Sequence, residues 1–125
     1  MRGRRVLVVD DDPDIQEVAV LALDRLGHHS AIVAGSGEEG LRAARAHLPD
    51  VVLLDVMMPG MDGPSTLARL RQDEVTAGIP VVFLTAKTQA AERDRLAGMQ
   101  VAGVLAKPFD PMTLADDLDR VMGWR

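Results

Sequence analysis

At 125 residues the chain has the length of one domain, enough to bury a substantial core and too little for a two-domain enzyme. Fourteen Lys+Arg against nineteen Asp+Glu leave a net charge of −5, so diffuse binding to nucleic acid or an anionic membrane lacks its electrostatic term and only a local basic patch is left open. The absence of cysteine excludes disulfides, thiolate metal sites and cysteine nucleophiles, and an aromatic content of 2% removes stacking platforms for single strands.

The amino terminus, MRGRRVLVV, starts like a signal peptide, but Asp10, Asp11 and Asp12 end its apolar stretch far short of an h-region. A cytoplasmic protein off the membrane is therefore expected. The run Val6 to Val9 reads as a first strand, and Asp12 as the cap of a helix with Pro13 at its first position. Ile15, Val18, Ala19, Ala22 and Leu26 then recur at helical spacing. Ala31 to Ala34 is a second strand, Ser36-x-x-Glu39 a capping box, and Leu41, Ala44 and Leu48 the apolar stripe of a second helix. Val51 to Leu54 forms a third strand. Gly63-Pro64 opens a third helix carrying Leu67 and Leu70, and Val81 to Leu84 follows as a fourth strand. Leu96 marks a fourth helix, Val101 to Ala106 around Gly103 a fifth strand, and Asp110-Pro111 the start of a last helix with Leu114, Leu118, Val121 and Met122. The first, third and fourth runs are continuous and β-branched, as strands buried on both faces are. Strand–helix alternation with short loops predicts one domain over residues 1–125, a doubly wound α/β fold whose five-stranded parallel sheet has five flanking helices.

In such a sheet the functional crevice lies beyond the carboxyl ends of the strands. There the first run ends in Asp10, Asp11 and Asp12, the third in Asp55, the fourth in Thr85 and the fifth in Lys107. Crowded carboxylates stay ionised only beside a compensating cation, and all-oxygen ligands favour Mg²⁺, with Mn²⁺ as a substitute. Asp12 is best used as a helix cap, which leaves Asp10 and Asp11 for the metal. A metal, a lysine and a hydroxyl suit a phosphoryl group, with Asp55 as the nucleophile.

The strings VLVVDDDP, LLDVMMPGMDG, VVFLTA and LAKPF, in that order and spacing, closely resemble a response-regulator receiver domain of two-component signalling. The resemblance covers essentially the whole chain and implies a flavodoxin-like receiver fold. It implies that Asp10, Asp11, Asp55 and the backbone carbonyl of Met57 hold Mg²⁺, and that Asp55 accepts a phosphoryl group from a phosphohistidine. Thr85 is then the switch hydroxyl, Lys107 the pairing lysine, and the Lys107-Pro108 peptide is expected to be cis. It further implies a sensor histidine kinase or histidine phosphotransfer protein as partner. Output through the fourth helix, fifth strand and fifth helix follows, with no direct nucleic acid contact and with catalysis limited to the domain's own phosphorylation and dephosphorylation. One departure is Val104, where the family usually carries an aromatic switch residue. Met57 and Lys87 fall on the positions that tune phosphoryl lifetime, and an apolar Met57 predicts slow hydrolysis.

Two other functions compete. Asp10 and Asp12 resemble the D-x-D of haloacid dehalogenase-like phosphohydrolases, a reading that leaves Asp55 without a role, and a receiver-like module could bind partners without phosphorylation. Gly35-x-Gly37-x-x-Gly40 fits a dinucleotide fingerprint, but Glu38 and Glu39 would repel a pyrophosphate, so the glycines are assigned to the capping turn. Pro59, Gly60 and Gly63 are read as turn residues. His28, His29 and His47 are expected at the surface, Asp116, Asp117 and Asp119 on a solvated helix face, and Trp124 in a helix-end contact.

Overall fold

Successive residues of a strand point to opposite faces of its sheet, so a strand covered on both sides must be apolar at every position. A computed structural model of the chain, describing residues 3–86 and 90–124, shows four successive buried apolar residues in each central strand, with a polar residue only at one end: Arg5 at the start of the first, Asp55 and Thr85 at the ends of the other two. In chain order the elements are β1 (Arg5–Val9), α1 (Pro13–Val20) continued by a π-helical turn (Leu21–Arg25), β2 (Ser30–Ala34), α2 (Gly37–His47) and β3 (Val51–Asp55). They are followed by α3 (Gly63–Gln72), β4 (Val81–Thr85), α4 (Ala90–Ala97), β5 (Gly103–Ala106) and α5 (Leu114–Met122). The strands form one parallel sheet in the order β2-β1-β3-β4-β5, the doubly wound α/β architecture expected.

Val6, Val8, Val51, Leu53, Val82 and Leu84 enter one core with Ala19, Ala22, Leu23, Leu114 and Leu118. Leu7, Val9, Val52, Leu54, Val81 and Phe83 enter the other, against Ala44, Leu67, Leu70 and Leu96. The sheet thus lies between α1 and α5 on one side and α2, α3 and α4 on the other. The three runs read as doubly buried are the three central strands, while the edge strands β2 and β5 are only partly covered.

Several boundaries differ from the periodic pattern, each for a local reason. After Val20 the helix widens, Leu26 N–H bonds to Leu21 O at 3.0 Å, and Leu26 falls out of the core with 48% of its surface exposed. Leu48 adopts a left-handed conformation (φ 48°) that caps α2, so it too is exposed. The third helix is capped by Asp62, whose side chain accepts Ser65 N–H at 2.8 Å, which moves Pro64 to the second helical position. Asp110 opens a turn instead of α5: its carboxylate accepts Met112 N–H at 2.9 Å and the helix starts at Leu114. The chain leaves α4 through a left-handed Gln100, and the β5 ladder begins only at Gly103, opposite Val82. The Lys107-Pro108 peptide is cis.

The candidate phosphoacceptor site

Strand register brings the chemistry together. Val9 pairs with Leu54, so the next residues, Asp10 and Asp55, emerge side by side at the strand ends. Asp55 pairs with Leu84 and Thr85 with Ala106, which sets Thr85 and then Lys107 in steps across the same edge. Asp10, Asp55 and Thr85 are buried, whereas Asp11 is exposed at the mouth.

Lys107 Nζ bonds Asp10 Oδ2 at 2.9 Å and lies 3.3 Å from Asp55 Oδ1. The other oxygen of Asp10 accepts Asp12 N–H at 2.9 Å, and the Asp10 carbonyl accepts the Gln16 side-chain amide at 2.7 Å. Asp10 is therefore held at side chain and backbone alike. Met57 N–H points at Asp55 Oδ1 from 3.4 Å, while the Met57 side chain is 65% exposed. Lys107 N–H donates to the Thr85 carbonyl at 2.9 Å, which ties the lysine backbone to the β4 end.

Burial raises the pKa of Asp55 above the ordinary carboxylate value, the Asp10 charge adds to the rise, and Lys107 only partly offsets them. For Lys107 desolvation works against the ammonium, but the hydrogen bond to Asp10 and the two carboxylate charges outweigh it, so its pKa is raised. The excess of negative charge asks for a further cation. Carboxylate oxygens of Asp10, Asp11 and Asp55 all lie within 4.8 Å of one another, a donor set that fits a hard divalent ion with waters completing its shell. Asp12, in contrast, accepts Asp14 N–H at 2.9 Å as the cap of α1 and is not in this cluster, so a D-x-D reading loses its second carboxylate.

Glycine allows the closest approach. A Cβ on Gly63 would stand 2.6 Å from the Asp55 carbonyl oxygen, and Gly63 N–H bonds the Val56 carbonyl at 2.9 Å, so the start of α3 rests on the Asp55 backbone. The other glycines of interest serve packing. A Cβ on Gly37 would overlap Thr66 Oγ1 and one on Gly40 would stand 2.9 Å from Val9 Cγ2. Ser36 Oγ accepts Glu39 N–H at 3.1 Å and Glu39 returns to Gly35 N–H, so the glycine-rich turn is a capping turn, as expected.

A family model for the response regulator receiver domain matches residues 6–119. The chain belongs to that family. The receiver domain is 41% identical over 113 residues to the DNA-binding response regulator MtrA of Mycolicibacterium smegmatis, an alignment covering 89% of this chain and 47% of MtrA. The chain spans about half the length of the curated relatives it matches. Among solved structures, it resembles the N-terminal domain of a response regulator receiver protein from Methanoculleus marisnigri JR1 (42% identity, TM-score 0.77, 98% of both chains). It also resembles the chemotaxis response regulator CheY4 of Vibrio cholerae (30% identity, TM-score 0.85, 97% of this chain and 99% of CheY4). As a receiver domain of a two-component response regulator it has a signalling role.

Other expectations are corrected or fall outside the described residues. Val104 is partly buried and packs against the core beside α4, with no aromatic ring at its position. Lys87 lies outside the described residues. His29 is not at the surface: it is 4% exposed, its Nδ1 accepts Arg4 N–H at 3.0 Å and its Nε2 meets Asp119 Oδ1 at 2.7 Å. Asp119 is thereby withdrawn from the solvated face of α5. The Trp124 ring sits 5.4 Å from the His29 ring with the Arg4 guanidinium 5.0 Å from its centre, so Trp124 does make a helix-end contact. Among the described residues no helix is long and apolar enough to cross a membrane.

Proposed function

We propose that residues 1–125 act as one phosphoacceptor domain that takes a phosphoryl group from a phosphohistidine onto Asp55. The observation that carries this is the bridge from Lys107 to Asp10 and Asp55 within a carboxylate cluster sized for a divalent cation. A carboxylate oxygen of Asp55 attacks phosphorus, the P–N bond breaks, and the departing imidazole takes up a proton. Lys107 shifts from Asp55 to a phosphoryl oxygen while retaining Asp10, and the Thr85 hydroxyl closes on another. Asp10, Asp11, Asp55 and the Met57 carbonyl would hold Mg²⁺, which when bound supplies positive charge against the phosphoryl oxygens. The new dianion then favours the conformation in which the Thr85 loop closes, the differential contact needed to shift a two-state equilibrium.

The partner at the donor step is a sensor histidine kinase or histidine phosphotransfer protein, and the output runs through α4, β5 and α5 to a downstream target. This segment touches neither nucleic acid nor membrane, works in the cytoplasm, and catalyses only its own phosphorylation and dephosphorylation. Met57 cannot orient an attacking water, so the acyl phosphate is expected to be long-lived in a phosphatase-free assay. Intact mass after incubation with a small acyl phosphate tests the reading. A single Mg²⁺-dependent phosphoryl adduct on the wild type, absent from Asp55→Ala, is expected. Steady phosphate release without an adduct would indicate a phosphohydrolase, and neither adduct nor release a phosphorylation-independent binding module.

A further inference from the structure

On the helical layer formed by α2 and α3, the carboxyl-terminal halves of the two helices and the turn after α3 line a groove of about 280 Å³, towards the pole opposite the acidic edge. Arg42 and Arg45, three residues apart, share one face of α2, and Arg69 faces them from α3. The chain supplies one carboxylate there: Asp73 accepts Arg45 Nη1 at 2.8 and 2.6 Å. Asp73 is also engaged by Val75 N–H at 2.9 Å, and its pKa is lowered first by that bond and then by Arg45. Among the described residues Arg42 and Arg69 have no acidic partner. A guanidinium donates and never accepts, and Arg42 and Arg69 are both exposed, so their donors are open to acceptors from a partner.

We infer that this arginine-lined groove is a docking site for a carboxylate-bearing segment of a protein partner. The Asp73–Arg45 pair displays the chemistry within the chain itself, and a second and third carboxylate would complete it at Arg42 and Arg69. The groove is small, which suits side chains and not a large ligand. The net charge of −5 opposes an extended polyanion, whereas a short acidic segment reaches the groove without meeting the acidic pole. The competing assignment is that these arginines only complement the negative ends of α2 and α3.

The test is an amide-resolved NMR titration of the full chain with a hexaglutamate peptide at low salt. Saturable shifts confined to residues 41–45 and 69–76 are expected, with affinity falling about tenfold in Arg42→Ala/Arg69→Ala and unchanged in Arg93→Ala, a charge removed from α4. Asp73→Asn keeps an oxygen for Val75 N–H but releases Arg45, and it should tighten the peptide about threefold. A role confined to helix ends would not produce that gain. Shifts outside the groove, affinity indifferent to the double substitution, or tighter binding of a DNA oligonucleotide than of the peptide would each overturn the inference.

Discussion

Asp55 keeps a charge in a place that opposes it. Burial and the neighbouring Asp10 raise its pKa, so the folded protein holds a proton there more tightly than the unfolded chain, whose carboxylate titrates near 3.8. Its contribution to stability is thus present below that value and lost as pH rises through the folded pKa. The metal-free Asp55→Asn protein should accordingly be more stable at neutral pH, by on the order of 1 kcal/mol, with an advantage that shrinks on acidification. Urea unfolding in chelator at pH 7 and pH 4 reads this; an Asn variant less stable at pH 7 would mean Lys107 over-compensates the charge. Lys107→Ala leaves both carboxylates unpaired, yet should spare adduct formation more than signalling, since the acceptor oxygen remains. Adduct yield measured beside binding to a downstream target separates the two, and a variant unaffected in both would remove the lysine from the mechanism. These residues were legible because each directly follows an apolar strand. His29 was not, because its partner Asp119 lies 90 positions away and neither belongs to a periodic pattern.

Elements meet at places where a single atom decides the spacing. A methyl at Gly63 has no room above the Asp55 carbonyl, so Gly63→Ala should displace the start of α3, cost roughly 1–3 kcal/mol and slow phosphorylation as well. Normal adduct formation in a destabilised Gly63→Ala protein would confine the glycine to packing. At the other end of the sheet, Arg4 ahead of β1, His29 ahead of β2 and Asp119 and Trp124 of the α5 end form one clamp. His29→Ala leaves Arg4 N–H and the Asp119 carboxylate without their ring partner, and about 2–3 kcal/mol of stability should be lost. The chain has one tryptophan, so its fluorescence reports on the clamp directly, and an unchanged spectrum would deny the contact. Strand positions were legible because double burial imposes continuous β-branched runs. Helix ends were less so, since proline marks the first turn without saying whether its neighbour or an earlier aspartate, here Asp62, provides the cap. The widening after Val20 leaves no trace in apolar spacing: Leu26 keeps the helical interval yet faces solvent.

Over the whole molecule, parallel strands and antiparallel helices sort charge into two poles. Strand ends collect Asp10, Asp11 and Asp55, while the carboxyl-terminal turns of α2 and α3 carry Arg45 and Arg69, with Arg42 one turn further in. The net charge of −5 averages over this division, which is why composition could exclude diffuse anion binding but not locate a basic patch that sequence separates across two helices. At the acidic pole the uncompensated charge becomes an energetic lever. A cation bound to the folded protein alone stabilises it by about 1.4 kcal/mol at tenfold its dissociation constant, worth roughly 5 °C in a domain of this size. Mg²⁺ should therefore raise the wild-type unfolding midpoint and leave Asp10→Asn nearly unmoved. The ion needs ionised carboxylates, so its benefit must fade as pH drops through the raised pKa of Asp55, opposite in sign to the metal-free behaviour of that residue. Thermal melts of wild type and Asp55→Asn, with and without Mg²⁺ across that range, should show the wild type destabilised relative to the variant without the ion and more strongly protected by it. Equal Mg²⁺ shifts in wild type, Asp10→Asn and Asp55→Asn would place the ion elsewhere and sever the link between the acidic pole and phosphoryl chemistry.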